Sequence, residues 1–501
     1  MSETAARRYR LHPPDDLGVL FGLTVAQVAV LALAMVAGVL AMAYGSATAG
    51  VAVLAVGAAA GLGRLNGQPL LASAPLAVRW LRRRVAGGQR WFAPIPLWTA
   101  DDGRLSLPPV LSGQRLLAVD AAAGQGVAGP GQVGVVHDGR GDVWAATVRV
   151  SGRRFALLEP EEQDRLAQWW GTALSAFCAE RTPVVSIRWS LWSAPSGMRQ
   201  QETYLAEHLA AEPAAQAREA YEQLLAAAGP LSTTHEVLVT LSVAGGRVRA
   251  SREQRGDRRR AAVETLLGEL LLFSRRLEAA GLVVSAPLSP GELARAVRVR
   301  FDPACAAVLD GQGRSLGDRA GVVSWRNAGP LAAESAWTHW RVDGSVHRSF
   351  FVARWPLLEV PVDWLGQLLL HTRAVRTVTV GYEPVGRAAS QRRVIREAAK
   401  LAGDADHRAS KGFRVGARHR RAATAVGERE EELVAGFGEL GYAGLVTVTA
   451  GDLEELRRGC EEAVQTAASC GVELRPLDGR HDQAAAAALP LARGLAPRIT
   501  R

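Results

Sequence analysis

The stretch LGVLFGLTVAQVAVLALAMVAGVLAMAYGSATAGVAVLAVGAAAGLG, Leu17 to Gly63, runs without a single Asp, Glu, Lys, Arg or His. In a chain that is 22% charged, such a gap is what two membrane crossings joined by a tight turn require, because an ionised side chain in hydrocarbon is costly. The run divides at Tyr44-Gly45-Ser46, where turn-forming residues meet an amphipathic aromatic. Val19 to Met42 predicts a first helix able to span a core of about 30 Å, and Ala47 to Gly63 a shorter second one rich in Ala, Val and Gly. Small residues recur at four-residue spacing in both segments: Gly18 and Gly22, Ala34 and Gly38, Gly57 and Gly61. That spacing predicts close helix contact in lipid, where dispersion replaces the hydrophobic effect. The plainer explanation is that Gly is abundant throughout, with 52 in the chain.

The flanks set an orientation. Arg7, Arg8 and Arg10 precede the apolar run, Arg64, Arg79, Arg82, Arg83 and Arg84 follow it, and the turn between carries no charge. Both ends are therefore expected on the cytoplasmic side of the inner membrane. A cleaved secretory signal has one short apolar region before its cleavage site, which this hairpin does not match. Pro75 to Val85 predicts a short helix, and Arg79, Trp80, Arg82, Arg83, Arg84 and Trp91 suit the lipid headgroup layer. The lipid bilayer is thus the first expected partner.

Behind this region, residues 1–94, lie some 400 residues with apolar patterning, enough for two α+β domains at 95–330 and 331–501. Two hairpins, around Asp138-Gly139 and Asp343-Gly344, each open the same order of elements: strands, a helix, a strand, a helical excursion, a strand, a helix and a strand. The expected fold is a two-helix transmembrane hairpin followed by two similar ββαβα-type, ferredoxin-like halves, the second carrying a long helical excursion over 387–440. Cys178, Cys305, Cys460 and Cys470 are scattered without zinc or redox spacing, as expected of reduced cytosolic thiols.

Several segments resemble a known family. Arg348-Ser349-Phe350-Phe351-Val352-Ala353-Arg354-Trp355-Pro356, Asp363-Trp364-Leu365, Arg376-Thr377-Val378-Thr379-Val380, Gly471-Val472-Glu473-Leu474 and Ala488-Leu489-Pro490-Leu491 are similar to the non-motor N-terminal domain of conjugation-type type IV secretion ATPases. The hairpin, entered at Arg8-Tyr9-Arg10 and left at Arg82-Arg83-Arg84, resembles the PrgI-type membrane proteins of Gram-positive conjugation systems. A fusion of the two resembles an actinobacterial family of conjugal-transfer membrane proteins. The resemblance implies a non-enzymatic membrane scaffold that docks a separate secretion-type ATPase and associates with itself or with other membrane subunits.

A motor would need Gly-x-x-x-x-Gly-Lys-Ser/Thr, whose backbone N–H groups and lysine cradle phosphates. Lysine occurs only at Lys400, after Ala398-Ala399, and at Lys411, before Gly412, and neither stands in such a loop. The end at Arg501 falls about where that family's motor would begin, so no ATP hydrolysis and no cofactor are expected. Gly124-Gln125-Gly126-Val127-Ala128-Gly129 satisfies a dinucleotide-loop pattern, but a strand and Pro130 follow it where a helix N-terminus is needed. Asp478, His481 and Asp482 could ligate a cation, though a helix start capped by Asp482 is the commoner reading.

The most unusual polar stretch is Arg387 to Arg421, where Arg387, Arg392, Arg393, Arg396, Lys400, Arg408, Lys411, Arg414, Arg418, Arg420 and Arg421 face only Glu397, Asp404 and Asp406. A surface of this kind suits a solvated helical face, an acidic protein partner, anionic lipid or a nucleic-acid backbone. Phe413 is its one aromatic, too few for a base-stacking platform. Two other functions stay open on sequence alone: a type VII secretion membrane component, and a membrane-bound enzyme such as a transferase.

Overall fold

The computed structural model describes residues 25–65, 68–94, 107–120, 131–152, 155–196, 198–208, 215–229, 232–248, 257–306, 308–309, 328–356, 358–370, 372–410, 412 and 416–493. Helix α1 (Val25–Tyr44) spans 20 residues, roughly 30 Å at about 1.5 Å per residue. It is the one described helix long and apolar enough to cross a membrane. Helix α2 (Ala47–Leu62) has 16 residues, about 24 Å, close to the shorter second segment expected over Ala47 to Gly63. The break falls where the sequence places it: Gly45 and Ser46 separate the helices, and the Ser46 hydroxyl caps α2 by accepting from Ala49 N at 3.2 Å.

The two helices run back along each other, with Leu31 against Gly61, Ala34 against Gly57 and Leu54 against Gly38. Gln27 is buried between them and donates to Gly61 O at 2.8 Å, satisfying a carbonyl at the end of α2. A Cβ added at Gly57 would stand 2.1 Å from Ala34 Cβ, whereas one at Gly61 would meet only the flexible end of Leu31 at 2.7 Å. Gly57→Ala is therefore expected to part the helices and lower the melting temperature of the detergent-solubilised protein by several degrees, with Gly61→Ala much milder. Equal effects would rule out this close approach.

Helix α3 (Leu70–Val85) begins five residues before the expected Pro75, which it carries inside its first turns. A small hairpin, β1 (Arg64–Leu65) with β2 (Gln68–Pro69), precedes it. The remaining strands form one antiparallel sheet: β3 (Arg90–Phe92), β4 (Gln114–Asp120), β5 (Gln132–Asp138), β6 (Val143–Gly152), β7 (Val184–Pro195), β8 (Thr233–Ala244), β9 (Leu282–Pro287), β10 (Ala332–Ser335), β11 (Trp340–Val342), β12 (Ser345–Arg354), β13 (Val375–Val385), β14 (Glu439–Ala450) and β15 (Glu473–Pro476). Its order is β3-β10-β11-β12-β14-β13-β7-β8-β6-β5-β4, with β9 also on β6 and β15 also on β12.

That order is a palindrome about the β13–β7 pair. Outward on one side come β14, β12, β11 and β10, and on the other β8, β6, β5 and β4. The likeness reaches side chains. Thr147 and Thr240 hydroxyls bond across β6 and β8 at 2.9 Å, and Ser349 and Thr447 do so at 2.9 Å across β12 and β14. A register shift also breaks each of the outer pairings, between Val148 and Val150 in β6–β9 and between Val352 and Arg354 in β12–β15. The repeat of element order expected from sequence is therefore present, and β4, β10 and β3 are strands the sequence reading did not find.

The reasons are local. Asp343 adopts φ 48°, the positive value its turn needs. Ser289 and Glu292 form a reciprocal capping box ahead of the Pro290–Phe301 helix. On one face of the sheet, Val148, Ile187 and Leu241 pack with Leu266 and Phe273 of the Arg258–Ala279 helix, and Phe350, Val446 and Val448 pack with Ala463 of the Leu453–Ser469 helix. The opposite face is shared: Leu116, Val136 and Leu238 join Trp340, Val342 and the Pro290–Phe301 and His481–Ala488 helices in one core. The stretches 95–330 and 331–501 are thus two halves of one sheet, and β3, within 1–94, is its edge.

Candidate functional site

The collar between the apolar helices and the sheet is held by residues the sequence assigned to lipid headgroups. Arg83 Nη1 donates to Asp482 Oδ2 at 2.7 Å, and Ser335 Oγ donates to the same oxygen at 3.2 Å. Asp482 is 2% exposed, so this ion pair is largely shielded from water and worth more than a surface pair. Trp80 meets Trp337 edge to face at 5.3 Å between centroids, and the Arg84 guanidinium lies over the Trp80 ring. Trp91 sits in β3, which pairs with β10 through Trp91 and Ala333, and packs on the shared core. Arg79, Arg82 and Arg84 remain exposed.

Asp482 is not a helix cap. Arg480 occupies that position, and Asp482 lies in the first turn of His481–Ala488, where negative charge meets the helix N-terminus favourably. Its partner Arg83 is distant in sequence, a relation no local motif encodes. His481 is turned to structural use as well: its Nδ1 accepts from Ser349 N at 3.1 Å, and burial lowers its pKa. Among the described residues no group of three or more His, Cys, Asp or Glu is placed to hold a metal ion.

Sequence reading missed a buried polar layer under the His481–Ala488 and Pro290–Phe301 helices. Arg188, on β7, is 3% exposed and donates to Ala487 O at 2.8 Å, Leu491 O at 2.5 Å and Arg493 O at 3.0 Å. Desolvation pushes its pKa down to about 10, still protonated at neutral pH. Carbonyl dipoles at and just beyond a helix C-terminus receive the charge. Arg300 Nη1 donates to Glu236 Oε2 at 3.0 Å and Ala296 O at 3.0 Å. Burial works to raise the Glu236 carboxyl, but Arg300 and Arg149 together bring it below the ordinary value. His347 is buried with both nitrogens engaged, Nδ1 with Thr449 Oγ1 and Nε2 with Phe301 O, each at 2.9 Å. Arg300, His347, Thr377 and Thr447 line a cavity with room for about one water molecule. The layer is a structural interior rather than a substrate cleft.

The basic excursion is a helical hairpin, Arg387–Ser410 and Ala417–Val434, shorter at its end than expected because β14 starts at Glu439. Val394, Leu401 and Val426 form its small core, and Arg429 Nη2 donates to Glu397 Oε2 at 2.6 Å between the helices. Val394 and Leu401 turn inward, so Arg392, Arg396 and Lys400, at four-residue spacing, form an exposed stripe on another side. Arg393 reaches Glu439 at 3.3 Å. Arg420 and Arg421 are exposed on the second helix, and Arg418 falls in its first turn. Arg414, Gly18, Gly22 and the Gly124–Gly129 pattern lie outside the described residues.

The chain therefore presents an α+β body on one antiparallel sheet, preceded by an apolar helix near the N-terminus. No protein-family model matches it, and no curated protein matches it.

Proposed function

We propose that this protein is a membrane-anchored, non-enzymatic scaffold of a type IV secretion or conjugation-like translocation apparatus that docks a separate ATPase. One observation carries the anchoring: Leu33, Met35, Val36, Val39, Leu40, Val51 and Val56 on α1 and α2 are exposed although strongly apolar. A surface of that kind needs a non-aqueous partner. In this reading α1 crosses the inner membrane, α2 inserts as its companion, and both ends and the body face the cytoplasm, with Arg79, Arg82 and Arg84 at the headgroups.

The collar supports a scaffold role mechanically. Arg83–Asp482 and Trp80–Trp337 tie α3 to the sheet, so the body is held in a set orientation at the membrane surface. Each half is proposed to be a ferredoxin-like unit: its strands run β9-β6-β8-β7 in one half and β15-β12-β14-β13 in the other, with helices packed on one face. The resemblance of segments such as Arg348 to Pro356 to the docking domain of conjugation ATPases supports this reading, and the chain has no phosphate loop of its own.

The test is a pull-down from membranes with the full-length protein as bait. A conjugation-type ATPase should be recovered, and nucleotide turnover should remain with that partner. Metal-dependent turnover by the purified chain, or a protein that stays soluble and monomeric without detergent, would overturn the proposal.

A further inference from the structure

We infer that copies of this chain associate head to tail, the helices Arg199–His208 and Ala215–Ala228 of one copy seating on the basic helices Arg387–Ser410 and Ala417–Val434 of the next. This rests on the shape and charge of the sheet body and is independent of the ATPase reading.

The two excursions occupy equivalent places in the repeat. One joins β7 to β8, the other joins β13 to β14. Because β7 and β13 pair antiparallel, with Ser193 opposite Arg376 and Ile187 opposite Tyr382, their C-terminal ends point in opposite directions. The roots at Pro195 and Val385 are separated along the strands by about eleven residues, roughly 36 Å. Each excursion thus leaves the sheet at its own end.

Their charges are opposite. Residues 199–228 carry Glu202, Glu207, Glu212, Glu219 and Glu222 against Arg199 and Arg218, whereas residues 387–434 carry twelve cations against seven acids, with Glu428, Glu430, Glu431 and Glu432 all in the second helix and the cationic stripe on the first. Like surfaces repel and unlike surfaces attract, so the self-complementary arrangement is heterologous: end one of a copy to end two of the next.

The acidic excursion also lacks the packing that would hold it in place. Of the described side chains in Arg199–His208 and Ala215–Ala228, none is buried, and Tyr204, Tyr221 and Leu224 are exposed. Helices of ten and fourteen residues are marginal alone in water and gain their stability from packing an apolar face. The basic hairpin, which has its own core, offers exposed Ile395 beside the Arg392–Arg396–Lys400 stripe. An apolar contact ringed by opposite charges is the anatomy of a specific interface.

Sedimentation of the full-length protein in detergent or nanodiscs at low and high ionic strength tests this. Wild type should form oligomers that dissociate as salt rises. Glu219→Arg with Glu222→Arg makes both ends basic, and Arg392→Glu with Arg396→Glu and Lys400→Glu makes both ends acidic. Either variant alone should lose association by about tenfold or more while keeping the wild-type circular dichroism spectrum, since the altered side chains are exposed. Mixing the two variants should restore assembly. A wild type that is monomeric at low salt, variants that assemble as the parent does, or a mixture that fails to recover would each overturn the inference.

Discussion

Replacing Arg188 by Ala is expected to destabilise the body by about 4 kcal/mol or more. The guanidinium supplies donors to three carbonyls, of Ala487, Leu491 and Arg493, in a place where water does not reach. An orphaned buried acceptor costs roughly 1–3 kcal/mol, and the emptied volume adds a cavity term. The three carbonyls lie at and after the end of the His481–Ala488 helix, so the loss should fall on the docking of that helix over the shared core. Arg188→Lys keeps the charge but presents its donors from one atom and should lie between the two. Denaturant unfolding of the solubilised protein, followed by tryptophan fluorescence, measures the difference. A loss below about 1 kcal/mol would show that the carbonyls find other donors.

The second large effect is a fall in stability on acidification, centred on His347. Burial lowers its pKa to about 4, against about 6.5 in the unfolded chain. The folded state therefore binds fewer protons than the unfolded state between these values. Its contribution is complete above about pH 6.5 and is lost as pH falls through about 4, with a total near 3 kcal/mol. His347→Gln, which can still accept from Thr449, should flatten stability across that window, and an unchanged acid loss in this variant would remove His347 as its source. Glu383 acts with the opposite sign. Burial raises its carboxyl to about 7, so its contribution is present below the unfolded value and lost as pH rises through about 7. Glu383→Gln should therefore stabilise the protein in alkali and leave the acid side unaltered.

Much of the fold is legible because its cues are short-range. The apolar run, the Gly45-Ser46 break and the Asp343 turn each act within a few residues, and the structure places them as read; the capping box at Ser289 and Glu292 is just as local but was not singled out from the sequence. Strands β4, β10 and β3 were missed because pairing, rather than a strong alternation of their own, makes them strands. The candidate site was legible only in composition. The sequence shows that Arg387 to Arg421 is basic, but not that Val394 and Leu401 face Val426 and leave Arg392, Arg396 and Lys400 to solvent. Trp80 and Arg83 illustrate the same limit: their residue types fit a headgroup layer, while their partners Trp337 and Asp482 lie hundreds of positions on.

By itself, then, the sequence determined an apolar helix near the N-terminus, the order of elements in two matching halves, the absence of a phosphate loop and the excess of positive charge in one excursion. These follow from hydropathy, turn chemistry and capping, which act over distances shorter than one element. Only the tertiary structure decided that the halves join through β7 and β13 into one sheet, that Arg188, Arg300 and His347 are interior, and that the excursions leave at opposite ends. Those outcomes depend on which faces bury one another. An arginine or histidine on a strand has the same local sequence whether solvent or a helix covers it, so the covering element sets its role.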